Sequence, residues 1–123
     1  FQVTEKDGFR CSTAVGYLNP AKSRKNLHIV TNAHVKKINF ENKIAKEVEY
    51  WQGDELKKVS SSKEIILSSG SIGSPQILQT SGIGNSQKLK ELGINIVHEL
   101  KGVGENLQDH LMFRPIYKVH GLK

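Results

Sequence analysis

The rhythm of apolar and polar positions changes several times along this chain, and those changes outline its organisation. Leu27, Ile29, Thr31, Ala33 and Val35 share one parity, the signature of a strand with one covered face. After Lys36-Lys37 the apolar parity passes to Ile38 and Phe40, a phase change that predicts a bulge or bend. Glu41-Asn42-Lys43 reads as a turn, and Ile44, Val48 and Tyr50 as the next strand. Gln52-Gly53-Asp54 turns again before a strand marked by Leu56 and Val59. Together these predict a small antiparallel meander over residues 36–60, polar on its outward face.

Beyond Ser60-Ser61-Ser62 the pattern is different. Glu64-Ile65-Ile66-Leu67 has consecutive apolar residues, as a strand covered on both faces would. It runs into Gly70-Ser71-Ile72-Gly73-Ser74-Pro75-Gln76-Ile77-Leu78-Gln79-Thr80-Ser81-Gly82-Ile83-Gly84. Ser74 reads as a helix cap with Pro75 at the first helical position, Ile77 and Leu78 as the apolar side, and Gly82 as a left-handed stop. A strand, a small-residue turn and a helix N-terminus can together present backbone N–H groups to an anion. Asn85 or Ser86 can cap a second short helix over 87–92 that Gly93 ends, and Ile94, Ile96 and Val97 suit another strand. Residues 102–110 read as a glycine-bounded turn leading to a helical turn. Residues 113–119 read as a final extended segment that Pro115 confines to an edge or irregular position. Residues 1–20 look loop-like and 22–25 a polar connector.

With 123 residues the chain is one domain or part of one. No apolar run approaches the roughly 20 residues of a membrane helix. The net charge of +6 raises a nucleic-acid reading. Its basic residues, however, are interleaved with Glu41, Glu47, Glu49, Asp54 and Glu55 and lack clustered aromatics, so a solvated strand face explains them better. Cys11, the sole cysteine, cannot form an internal disulfide, and it reads as structural despite the neighbouring cation of Arg10.

Several chemical signatures are absent. Neither GxxxxGK[ST] nor GxGxxG at the head of a strand–helix unit occurs. The five histidines and one cysteine show no metal-ligand spacing, and His28 and His34 fall on the parity opposite the apolar face. Asp109-His110 are sequence neighbours whose side chains diverge in regular structure. On the residues alone His110 is a helix-end or interface residue, with acid–base work as the minority reading.

Four segments carry a resemblance. Residues 70–84 match the second signature of the glucose–methanol–choline (GMC) oxidoreductases, and Gly102-Val103-Gly104-Glu105-Asn106-Leu107-Gln108-Asp109-His110 resembles their VGxNLQDH stretch. Thr31-Asn32-Ala33-His34-Val35 is similar to their TxAxV strand, and Gly8-Phe9-Arg10-Cys11-Ser12 to their GxRxS stretch. The flavour around residues 26–39 is closest to insect glucose-dehydrogenase-like members.

The resemblance implies an α/β fold: part of an FAD/NAD(P)-binding, Rossmann-like domain with an antiparallel meander insertion, plus the start of a substrate-domain sheet. Residues 1–25 would be a connector on the substrate-domain side, 26–110 the partial FAD domain and 111–123 the start of the substrate domain. It also implies FAD as cofactor and oxidation of a small-molecule alcohol, with oxygen or a quinone as electron acceptor. Val35, Ser69, Gly70 and Ser74 would stand on the cofactor side, Ser74 first as a cap. His110 would neighbour the active site without being its main base. Ser69-Gly70-Ser71 replaces the more usual Ala-Gly-Ala. The family's pyrophosphate-binding GxGxxG and its catalytic histidine are not in the chain, which therefore reads as the middle of a longer enzyme, inactive alone. The alternative is a non-catalytic interaction module that kept the fold.

Overall fold

The computed structural model describes residues 4–121. They form two compact units that divide between Ala33 and His34.

The first unit opens on a hairpin where a loop was expected. Strand β1 (Glu5–Lys6) pairs with β2 (Phe9–Arg10) in antiparallel register, Glu5 opposite Arg10 and Lys6 opposite Phe9. Asp7 and Gly8 both take positive φ, 54° and 78°, as the two-residue turn that matches strand twist requires. A wide π-helical turn, Ala14–Leu18, then runs into a short helix, α1 (Asn19–Ala21). The Asn19 N–H bonds back five residues to the Ala14 carbonyl. Cys11 is buried, its N–H donated to the Thr4 carbonyl at 2.9 Å.

The second unit begins with the meander: β3 (Ala33–Glu41), β4 (Ile44–Gln52) and β5 (Glu55–Ser60), hydrogen-bonded in that order. Strand β3 runs through Lys36-Lys37, where the apolar parity changes phase, without a break. The strand expected from Leu27 starts late, at Ala33; residues 27–32 carry no regular strand. Asn42 and Lys43 form the first turn, both at positive φ (49° and 66°). Asn tolerates that region, and a non-glycine residue such as Lys43 accepts it at a cost of about 1 kcal/mol. In the second hairpin Val48 faces Val59 and Glu49 faces Lys58.

Helix α2 (Gly70–Thr80) starts four residues earlier than Ser74, contrary to the cap reading. Ser69 is its N-cap residue and caps with no side-chain bond. Ser74 instead sits inside the helix, and its Oγ accepts the Ser69 N–H at 3.0 Å, reaching back as the far side chain of a capping box does. Pro75 lies inside the helix, where it withholds one amide from the Ser71 carbonyl. The C-terminal end follows the sequence: Ser81 is the C-cap and Gly82 follows at φ +88°. A Cβ at Gly82 would run into the Asn95 carbonyl oxygen, so no other residue fits there without backbone movement.

Next come β6 (Ile83–Gly84), α3 (Ser86–Glu91) and β7 (His98–Glu99), with β6 and β7 parallel. Asn85 is the cap of α3, its side chain accepting from the N–H groups of Gln87 and Lys88. The helix closes with Gly93 N–H to the Lys90 carbonyl and Ile94 N–H to the Leu89 carbonyl, the paired bonds of a Schellman ending. Leu89, 2% exposed, is the most deeply buried side chain described.

Residues 64–68 and 105–110, expected as a strand and a helical turn, carry no regular structure, and the strand expected from Ile94, Ile96 and Val97 is replaced by the two-residue β7 just beyond them. Residues 113–119 are irregular, one of the two positions that Pro115 leaves to them. A strand is stable only beside another, and residues 64–68 pair with no strand among the described residues. Ile66 is 77% exposed and Leu111 fully so. The apolar side chains buried among the described residues are Cys11 in the first unit and Ile38, Ile77 and Leu89 in the second.

Candidate functional site

Helix α2 lies against the glycine turn at 102–104, and the two segments that carry the strongest motif likeness thereby line one groove of about 600 Å3. Ser71, Ser74 and Leu78 form its helix wall; Gly102, Gly104 and Leu107 face them. The junction is made by Gln79, whose Nε2 donates to the Val103 carbonyl at 3.1 Å. Gly104, at φ +80°, lies so close to the Gln79 amide that a Cβ there would collide with it. The turn is closed by Val103 N–H to the Leu100 carbonyl and Glu105 N–H to the Gly102 carbonyl. A Lys88–Glu105 ion pair ties it to α3, though both side chains are well exposed and the pair contributes little.

Of the residues singled out in the sequence, Ser69, Gly70 and Ser74 come together at the start of α2, Ser69 and Gly70 exposed and Ser74 half-buried. Only Ser74 of these lines the groove. Val35 is half-buried on β3 and stands outside it. His110 is exposed in a segment without regular structure, its N–H donated to Asp109 Oδ1 at 2.7 Å. It is not in the groove either.

Sequence reasoning passed over Gln79, Thr80 and Ser81. The Ser81 Oγ accepts the Ile38 N–H at 2.8 Å and donates to the Ile77 carbonyl. The Thr80 Oγ1 hydrogen is shared between the carbonyls of Lys36 and Ile77, at 3.0 and 3.1 Å. The available signal was a pair of hydroxyl residues ending an apolar helix, where caps are normally sought at the other end.

A charge cluster lies apart from the groove, on the meander. The Asn39 amide donates to Glu47 Oε1 at 2.7 Å and to Glu49 Oε1 at 2.9 Å, and Lys58 Nζ is 3.2 Å from both carboxylates. The Asn39 bond, reinforced by Lys58, holds both carboxyls below their usual range; burial partly opposes this at Glu49. Lys58 is correspondingly raised by its bonds to Glu49 and Glu47. This cluster ties the three strands of the meander together. In the first unit, a separate open cleft of about 890 Å3 runs among Thr4, Phe9, Arg10, Cys11 and Tyr17.

Residues 1–112 match the family model described as GMC oxidoreductase. An oxygen-dependent choline dehydrogenase of Pectobacterium carotovorum is 55% identical over 75 residues, which are 61% of this chain and 13% of that protein. A Pseudomonas putida protein of the same name is 53% identical over 78 residues, 62% of this chain and 14% of its own length. Among solved structures, an FAD-dependent oxidoreductase from Chaetomium thermophilum superposes with a TM-score of 0.71 at 46% identity, covering 74% of this chain and 16% of that one. Pyridoxine 4-oxidase from Mesorbium loti gives 0.70 at 28% identity, covering 77% and 19%. The fold is thus that of a piece of a flavin-binding α/β domain with an antiparallel meander. The chain belongs to the GMC oxidoreductase family. It spans about one-seventh of the length of the curated relatives it matches, 13% of the first and 14% of the second.

Proposed function

We propose that this chain is a segment of an FAD-dependent oxidoreductase that acts on the CH–OH group of a small alcohol. The observation that carries this is the meeting of α2 and the 102–107 turn in one groove, since the two segments are apart in sequence and each bears a family motif. The residues present fit one wall of a dinucleotide site. The start of α2 is built from Ser69, Gly70, Ser71 and Gly73, which keep side-chain bulk off the backbone, and a Cβ at Gly70 or Gly102 would meet open space. Free N–H groups of a helix's first turn favour a polar or anionic group there.

In this reading Ser69, Gly70 and Ser74 stand along the adenosine side of FAD, with the Val35 backbone approaching the adenine. Bound FAD supplies the hydride acceptor. Glu105 is the only titratable side chain lining the groove among the described residues, and Lys88 engages it. Removal of the alcohol proton is therefore not assigned to this groove, and His110 is a neighbour of the active site, not its base. Residues 26–110 belong to the FAD domain and 111–123 begin the substrate domain. Choline-like and pyridoxine-like alcohols are the substrates to try first, with oxygen or a quinone as acceptor.

The test is anaerobic. Protein expressed from the complete reading frame should show flavin absorbance that bleaches when the alcohol substrate is added. Intact protein without bound flavin would sink the proposal. The 123-residue chain by itself should bind FAD negligibly; a micromolar dissociation constant would contradict the view that it supplies one wall only.

A further inference from the structure

Strand β3 is an edge of the meander, and its outward backbone groups need partners. At Lys36 and Ile38 those partners are side-chain hydroxyls. Thr80 donates to the Lys36 carbonyl at 3.0 Å and Ser81 accepts the Ile38 N–H at 2.8 Å. A carbonyl and an N–H two residues apart on one edge are the pair that a neighbouring parallel strand would engage. Two consecutive hydroxyls at the end of α2 take that strand's place. Ser81 and Ile38 are each 6% exposed, so water cannot substitute for their bond without opening the packing, whereas the Thr80–Lys36 bond lies at the surface.

We infer that Thr80 and Ser81 are positioning residues: their hydroxyls clasp β3 to the C-terminal end of α2 and so fix the strand bearing Val35 relative to the groove wall bearing Ser74. The same helix end carries Gln79, which grips the Val103 carbonyl. The last turn of α2 therefore holds the meander through one residue pair and the glycine turn through another. The inference deepens the flavin reading and rests on it for the ligand, while the clasp itself can be read without any ligand.

The experiment uses the full-length protein and its Ser81→Ala and Thr80→Val variants. Thr80→Val keeps shape at a site that is exposed and so leaves the fold intact if Ser81→Ala does not. Two quantities are measured: amide hydrogen exchange across residues 34–60 and the FAD dissociation constant. In Ser81→Ala the Ile38 amide should exchange about tenfold faster or more, while amides between β4 and β5 stay unchanged. In both variants the FAD dissociation constant should rise about three- to tenfold. An unchanged Ile38 amide, or equal acceleration throughout the meander, overturns the clasp. Selective exchange with unaltered FAD affinity overturns the positioning role. Wild-type protein that holds no flavin instead overturns the flavin reading, and Ile38 exchange then decides the clasp alone.

Discussion

Gln79 donates its side-chain amide to the Val103 carbonyl at 3.1 Å, joining a helix to a turn 24 residues further along the chain. The bond exists because the next residue, Gly104, has no side chain: any Cβ there would strike the Gln79 amide. Gly104→Ala should therefore displace Gln79 and force an alanine to φ +80°. The combined cost of strain and a lost hydrogen bond is about 2 kcal/mol. Thermal unfolding of the intact protein checks this, together with flavin content, which should fall with it.

Gly82 is less forgiving. The atom a Cβ would meet is the Asn95 backbone carbonyl, which cannot swing aside as a glutamine side chain can. Gly82→Ala should cost about 2–4 kcal/mol from left-handed strain plus overpacking. Gly93→Ala shares the strain at φ +69° but meets open space, so it should cost only about 1 kcal/mol. A difference between the two variants in melting temperature tests the distinction, and equal losses would refute it.

Acid should loosen the meander first. Glu47 and Glu49 have folded-state values held below 4.5 by the Asn39 amide and Lys58. A depressed carboxyl stabilises the fold above its unfolded value, and that contribution is lost as pH falls through the lower folded value. Exchange of peptides covering 44–60, corrected for intrinsic pH effects, should thus accelerate below about pH 4.5, the usual carboxyl range. Asn39→Leu should remove most of this dependence; an unaltered profile would show that Asn39 does not set it.

Leu89 should be the costliest truncation in the second unit. It is 2% exposed and packs against Gly84, so Leu89→Ala leaves a cavity with little around it free to collapse. A loss of about 3 kcal/mol is expected by chemical or thermal unfolding. Asn85→Ala, which removes the cap bonds to Gln87 and Lys88, should cost about 1 kcal/mol.

What the sequence disclosed were features decided within a few residues. The meander's turns, the Asn85 cap, and the glycines that end α2 and α3 all follow from local backbone preference. Ser74-Pro75 misled for a physical reason. Proline is favoured at a first helical position, but Pro75 lies five residues inside α2, where the helix tolerates the loss of one bond to the Ser71 carbonyl, and the Ser74 hydroxyl serves the Ser69 N–H instead of the amides after it. The apolar run at 64–67 predicted a strand that needs neighbours, which no described segment provides. The groove depended on Gln79 finding Val103, and the clasp on Ser81 finding Ile38, 43 residues away. Neither partnership leaves a periodic trace.

The parallel pair β6–β7 bears on the order in which this unit assembles. Val97 reaches the Gly82 carbonyl across 15 residues, with α3 as the crossover, whereas Ser81 must find Ile38 across 43. On loop-closure entropy alone the longer contact is harder by about 1 kcal/mol. The β6–α3–β7 element should be the seed, with α2 already attached through Gly82, and β3 arrives on a surface prepared for it. Folding kinetics would then show Leu89→Ala slowing refolding, while Ser81→Ala mainly hastens unfolding.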